Sequence, residues 1–275
     1  MLEINKIHQG DCLELMKQIE DKSVDMILCD LPYGTTACKW DTIIPFKELW
    51  EQYKRIIKDN GAIVLTASQP FTSVLVISNI EMFKYCWYWL KNPTGFLNAK
   101  KMPMKKIEDI CVFYKKLPTY NPQGLKSINK IIKNGKSKQI RTDTGISTHN
   151  GGRLPTEWKQ EFTNYPNQEL RFNNDKGLHP TQKPVALFEY LIKTYTNEDD
   201  LVLDNCAGSG TTAIACIHTK RNWIGIEKEK EYFEIAKKRI EEHSQQSSLL
   251  PLAENSKEDG IPPTIEIVGI LPKII

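Results

Sequence analysis

The sequence predicts an open, mostly parallel α/β sheet with helices packed on both faces. Two observations carry this. Six short runs are apolar throughout rather than alternating: 24–29 (VDMILC), 61–66 (GAIVLT), 85–90 (YCWYWL), 110–114 (ICVFY), 201–204 (LVLD) and 222–226 (NWIGI). Strands buried on both faces read this way, as in a parallel sheet covered by helices. Stretches of helical period lie among them, and strand–helix alternation is the signature of a doubly wound fold.

The elements can be justified in order. Behind Pro45, the residues Phe46, Leu49, Trp50, Tyr53, Ile56 and Ile57 recur at helical spacing, with Asn60-Gly61 as the expected stop. Residues 184–195 open on Pro184 and put Val185, Phe188, Leu191, Ile192 and Tyr195 on one side. Helices are also expected over 211–219 and 229–241.

The middle of the chain departs from this pattern. From 118 to 178 the periodicity fades into a stretch rich in Asn, Gly, Lys and Thr, expected to be an irregular insertion. Charge concentrates around it. Residues 98–183 hold 17 Lys and Arg against 7 Asp and Glu, a net of +10; the whole chain carries +3, so the remainder carries −7. That asymmetry favours a phosphate-binding face over an ordinary solvated run. From 244 the chain reads as linker and tail.

Bulk properties exclude several classes. With 275 residues, 40% hydrophobic and 26% charged, there is material for a full core. No apolar run is long enough to span a bilayer, and the first residues lack a signal-peptide core, so a cytoplasmic protein is expected. The seven cysteines form no Cys-x-x-Cys pair, which argues against zinc and for small core residues in a reducing compartment.

Two stretches carry chemistry. The first, Asp30-Leu31-Pro32-Tyr33-Gly34, leaves an apolar strand. A plain turn accounts for the proline and glycine but not for a carboxylate and a phenol beside them. The second, LVLDNCAGSGTT at 201–212, is strand, glycine loop and helix start. Gly208 and Gly210 permit close approach of a ligand to backbone, and Ser209, Thr211 and Thr212 offer hydroxyls at a helix N-terminus. Glu227 ends the next strand, where an acid often grips ribose hydroxyls. The loop is neither Gly-x-Gly-x-x-Gly nor a phosphate loop with Gly-Lys-Ser/Thr, which disfavours nicotinamide dinucleotides and ATP hydrolysis.

Together these stretches resemble the motifs of the amino-group DNA methyltransferases. The family's Asp/Asn/Ser-Pro-Pro-Tyr/Phe matches Asp30 to Tyr33, with Leu31 in place of the first Pro. Its Asp-Pro-Phe-x-Gly-Ser-Gly-Thr-Thr matches Asp204 to Thr212, with Asn205-Cys206 in place of Pro-Phe. HPTQKP at 179–184, GIEKEKEYFEIAKKRI at 225–240 and GDCLELM at 10–16 resemble the flanking segments. The catalytic motif precedes a variable basic region and then the cofactor motif, as in the β class. The resemblance covers about 8–115 and 177–241.

The resemblance implies a Rossmann-like methyltransferase fold with circularly permuted motif order and S-adenosylmethionine as cofactor. It implies methyl transfer to adenine N6 in a short sequence of double-stranded DNA. Residues 1–117 then form the catalytic half, 118–178 a target-recognition insertion, 179–243 the cofactor half and 244–275 a linker and tail. Asp30, Leu31, Pro32 and Tyr33 are the catalytic set. Asp11, Lys183, Asp204, Cys206, Gly208, Ser209, Gly210, Thr211, Thr212 and Glu227 are the cofactor set. For Asp11 a helix N-cap is the competing reading, and for Lys183 an ordinary surface lysine. Phe71 and Trp89 are candidates to line the base pocket, against a role as core aromatics. His149 and Arg153 are DNA-contact candidates, and His179 reads as a turn residue. A homodimer and a cognate restriction endonuclease are further partners the resemblance admits. No membrane partner is expected. Ser at the position of Asp30 leans toward cytosine, so Asp favours adenine. Cytosine-N4 transfer stays the near alternative; RNA or protein-glutamine methylation and a silent DNA-binding module are more distant.

The chemistry explains the residue types. Adenine N6 is a poor nucleophile because its lone pair is delocalised into the ring. Hydrogen bonds from N6–H to a carboxylate and a backbone carbonyl favour a pyramidal, localised lone pair. The base must first be flipped out of the duplex, and stacking on an aromatic ring offsets about 1–3 kcal/mol of that cost.

Overall fold

The computed structural model describes residues 2–35, 38, 41–94, 99–133, 157–173 and 182–249. Its centre is an eight-stranded sheet. The strands are β1 (Lys6–Gln9), β2 (Val24–Asp30), β3 (Ile57–Ala67), β4 (Phe83–Thr94), β5 (Lys105–Phe113), β8 (Glu169–Arg171), β9 (Leu201–Asp204) and β10 (Asn222–Glu227). They lie in the order β1-β10-β9-β2-β3-β5-β4-β8. Two further strands, β6 (Lys126–Lys133) and β7 (Glu157–Thr163), form a separate antiparallel ribbon.

Alternate residues of the central strands feed two cores. On one face, Ile27, Cys29, Ile63, Leu65, Cys111 and Phe113 pack against helices α1 (Cys12–Met16), α2 (Phe46–Ile56) and α3 (Phe71–Ser78). On the other, Met26, Leu28, Ala62, Val64, Ile110 and Val112 pack against α4 (Val185–Tyr195), α5 (Thr211–Thr219) and α6 (Lys230–Leu249). Period-two alternation combined with burial on both sides is why these strands look uniformly apolar.

Several expectations need correction. The apolar runs at 85–90 and 110–114 do lie in the sheet, but β5 runs antiparallel to both β3 and β4. A continuous apolar run reports burial on two faces, not strand direction. The helix expected over 45–58 ends at Ile56, and Asn60-Gly61 lies inside β3 instead of stopping the helix. Gly61 is needed there because a Cβ would come 2.8 Å from the Asp25 carbonyl oxygen and 2.7 Å from Ile57 Cδ1. Residues 169–171, placed within the insertion, belong to the central sheet as β8, parallel to β4. The linker expected from 244 is helical to Leu249, since no helix breaker occurs in that stretch. Strand β1 and helix α3 were not foreseen. Among the described residues, no helix is long and apolar enough to cross a membrane.

Candidate active site

Strands β2, β9 and β10 are parallel neighbours in this sheet, so their carboxyl ends meet along one edge. Asp30 ends β2, Asp204 ends β9 and Glu227 ends β10. Open α/β sheets bind ligands at this edge. A cavity of about 600 Å³ occupies it, and both motifs contribute to one wall of space: Asp30, Leu31, Pro32 and Tyr33 from the first, Asn205, Cys206 and Gly208 from the second. Asp11, Lys183 and Glu227 also line it, as does Trp89, whose indole N–H donates to the Phe172 carbonyl (2.8 Å).

The Asp30 end is a dense polar cluster. Asp30 Oδ1 accepts from the Thr66 hydroxyl and from Tyr33 Oη (2.8 Å), and Oδ2 accepts from Lys183 Nζ (2.8 Å). Thr66 reaches Asp30 because the two are register partners across β2 and β3. Lys183 Nζ also lies 2.7 Å from Glu108 Oε1, and Lys91 Nζ lies 2.5 Å from Glu108 Oε2. Tyr33 packs on Phe71 with ring centroids 5.0 Å apart. Phe71 thus sits behind Tyr33 and does not line the cavity. After Tyr33 the chain is held by Asp41, whose carboxylate accepts from the Gly34 and Thr35 amides (2.8 and 2.9 Å).

Charge and burial set the protonation of this cluster. Burial pushes the Tyr33 phenol well above its ordinary range, and the Asp30 and Glu108 carboxylates push it further, so it remains a donor. Burial opposes the Lys183 charge, but Asp30 and Glu108 outweigh it and raise the ammonium's pKa. Burial likewise opposes ionisation of Glu108, and the Lys183 and Lys91 ammoniums overcome it and hold the carboxyl below its usual range.

The glycine loop is shaped from behind. Gly208 (φ +52°) and Gly210 (φ +80°) both adopt left-handed backbone. A Cβ on Gly208 would meet nothing within 4 Å, whereas one on Gly210 would meet Ile240 and Ala236 of α6 at 3.2 and 3.3 Å. The Gly208 amide donates to Glu227 Oε2 (2.8 Å) and the Glu229 amide to Oε1 (2.8 Å). Ser209, Gly210, Thr211, Thr212 and Asp204 do not line the cavity. The Thr212 hydroxyl and the Cys206 amide donate to Asp204, and Arg239 Nη1 donates to the Ser209 carbonyl (3.0 Å) and, at 3.2 and 3.3 Å, to the Ser209 and Thr211 hydroxyls. Burial pushes the Asp204 carboxyl up to about 6, against the pull of those donors.

Asp11 fills both of its readings. It caps α1 by accepting from the Leu13 amide (3.0 Å), and it lines the cavity with Lys228 Nζ 3.3 Å from its other oxygen. Lys183 is buried inside the site rather than on the surface. Cys206 is half-buried and accepts from Asn205 Nδ2 (3.5 Å); against the neighbouring Cys12, the Cys29 thiol and burial hold its thiol well above the ordinary range, so it is no nucleophile. His149, Arg153 and His179 lie outside the described residues. The sequence reading missed Glu108, Thr66, Lys91, Asp41 and Arg239. Only Glu108 left a trace there, as an acid at the mouth of an apolar strand in KKIEDICVF.

Comparison with known proteins agrees with this geometry. A family model described as DNA methylase matches residues 24–238. The chain is 30% identical over 263 residues to Type II methyltransferase M2.MboI of Moraxella bovis, covering 86% of this chain and 87% of that protein. It is 29% identical over 261 residues to the DNA adenine methyltransferase YhdJ of Escherichia coli K12, covering 90% of this chain and 86% of that protein. Among solved structures, the M1.HpyAVI–SAM complex superposes with a TM-score of 0.57 at 28% identity, over 85% of this chain and 98% of that one. The chain belongs to the DNA methylase family, the S-adenosylmethionine-dependent methyltransferases of adenine N6 and cytosine N4.

Proposed function

We propose that this protein methylates adenine N6 at a short sequence of double-stranded DNA, in the cytoplasm, with Asp30 as the acceptor for the target amine. One observation carries the reading: a single cavity is lined by both the Asp30–Tyr33 loop and the glycine loop. Methyl donor and acceptor base can therefore meet inside it, which is the requirement for direct transfer.

The residues fit S-adenosylmethionine. Gly208 leaves open space where a side chain would stand. Glu227, buried and held by two backbone amides, retains acceptor capacity for ribose hydroxyls. Gln182 lines the cavity, and among the described residues its buried Oε1 has no hydrogen-bond partner. Gly208, Glu227, Asp11 and Cys206 are assigned to the cofactor. Ser209, Gly210, Thr211, Thr212 and Asp204 are assigned to holding the loop that receives it. The bound cofactor supplies an electrophilic methyl group.

Toward the base, Asp30 accepts a hydrogen bond from one N6–H and the Leu31 carbonyl accepts one from the other. Pro32 limits the loop's freedom, and the Tyr33 ring, braced by Phe71, offers the stacking face. Trp89 walls the same space. The relative named as an adenine enzyme supports adenine over cytosine; cytosine-N4 transfer uses the same groups. The 118–178 region, including the lysine-bearing β6/β7 ribbon, is assigned to target recognition through phosphates and base edges. A homodimer and a cognate restriction endonuclease are the protein partners this reading implies.

The test is to incubate the protein with methyl-labelled S-adenosylmethionine and unmethylated genomic DNA, then identify labelled nucleosides by mass spectrometry. N6-methyladenine is expected. N4-methylcytosine keeps the mechanism and changes the base, and absence of label in DNA overturns the reading.

A further inference from the structure

Asp30 is crowded inside the protein, with most of its roughly four acceptor positions taken. Its two oxygens accept from three donors: Thr66, Tyr33 and Lys183. A target amine competes with these donors for Asp30 and binds it more strongly when one gives way, and a buried donor gives way cheaply only if another acceptor is waiting. Glu108 Oε1 is in that place. It lies 2.7 Å from Lys183 Nζ and 3.2 Å from Tyr33 Oη, so it faces two of the three donors that hold Asp30. Lys91 fixes the other oxygen, and the side chain is 5% exposed. A mere counter-ion for Lys183 has no need to face the Tyr33 hydroxyl as well.

We infer that Glu108 is a positioning residue that takes over the Tyr33 and Lys183 donors when the target base arrives, leaving Asp30 open to the amine. This rests on the reading of Asp30 as the amine acceptor. The exchange conserves hydrogen bonds, since both donors keep a partner throughout. With Glu108 neutralised, Asp30 is the one remaining carboxylate partner of Lys183 among the described residues. Releasing it then exposes an unpaired buried ammonium, which is expensive. The antiparallel run of β5 places Glu108 here: its start lies beside the end of β3, with Ala67 paired to Asp109.

The test measures single-turnover methyl transfer at saturating cofactor and DNA. Glu108→Gln is expected to slow transfer by about tenfold or more, while affinity for S-adenosylhomocysteine stays within about threefold of wild type. Tyr33→Phe keeps the stacking ring and removes one competing donor. In the Glu108→Gln background it should recover part of the lost rate. A Glu108→Gln rate within about twofold of wild type overturns the inference, as does a Tyr33→Phe loss that simply adds to it. If Glu108→Gln does not fold, Glu108→Asp keeps the charge but withdraws the carboxylate by about 1.5 Å. It should be slowed, and a wild-type rate overturns the inference. Asp30→Ala separates the two levels. Near-normal turnover in that variant removes the underlying reading, whereas an inactive Asp30→Ala beside a fast Glu108→Gln removes only the role of Glu108.

Discussion

Lys183 and Asp30 are 153 positions apart in the chain and 2.8 Å apart in the fold. The lysine lies just before α4, and the aspartate ends β2. Their ion pair is partly buried and shared with Glu108, so two distant parts of the chain are joined at the site electrostatically as well as by packing.

Asp30→Ala should abolish methyl transfer, with a loss of at least about 10²-fold, because the charge-assisted acceptor for the amine is gone. Cofactor binding should remain measurable by calorimetry, since the glycine loop is untouched. Near-normal turnover would sink the role assigned to Asp30.

Lys183→Met should shift the acidic limb of the kcat profile to higher pH. Lys183 now helps hold Glu108 below its usual range. Without it, buried Glu108 lies near the half-buried Asp30 carboxylate with Lys91 as its remaining cation among the described residues, and Glu108 takes up a proton more readily. Activity needs the ionised form, so a higher pKa means that activity is lost earlier as pH falls. An unmoved limb with unchanged kcat would show that the ion pair has no part in the reaction.

The two left-handed glycines should separate binding from stability. Gly208→Leu places a side chain in open cavity and should weaken cofactor affinity by about tenfold or more, with a modest cost for the strained backbone. Gly210→Ala presses on Ile240 and Ala236 and should lower stability by about 1–3 kcal/mol. Calorimetry with the cofactor and thermal unfolding distinguish them. Equal effects of both variants on affinity would contradict the assignment.

Asp204 should make stability pH-dependent. The folded protein keeps this proton up to about pH 6, while the unfolded chain releases it near 3.8. The unfolded state therefore binds fewer protons between those values, and this group's contribution to stability falls as pH rises through the window. Asp204→Asn has no such proton. The difference in Tm, variant minus wild type, should rise from pH 4 to pH 6.5, and a flat difference would show that Asp204 ionises normally.

Lys126 and Lys130 of the β6/β7 ribbon are exposed. Replacing both with Ala should weaken DNA binding and reduce the slope of log affinity against log salt by up to about 0.9 per lysine. Cofactor affinity should not change. Anisotropy titrations at several salt concentrations check this, and an unaltered slope would place the DNA elsewhere.

Much of this protein was legible from local sequence. Six of the eight strands of the central sheet announced themselves as apolar runs, because burial on both faces demands apolar residues at every position, whereas the largely exposed edge strands β1 and β8 did not. The Asp30–Tyr33 and Asp204–Thr212 motifs were legible because each is one strand end and its turn, built from neighbours in the chain. Three matters were decided only by tertiary structure. Strand direction in β4 and β5 leaves no mark on hydrophobicity, since a parallel and an antiparallel strand bury the same faces. Ser209, Thr211 and Thr212 carry the residue types of a ligand-binding loop, yet the fold turns them toward Arg239 and Asp204, where their hydroxyls hold the loop's shape. Glu108 looked like an ordinary charge, and Lys183 was expected beside the cofactor or on the surface. They became part of the site because an antiparallel strand and the start of a distant helix converge on Asp30, and ion pairs of that kind follow distance in space rather than distance along the chain.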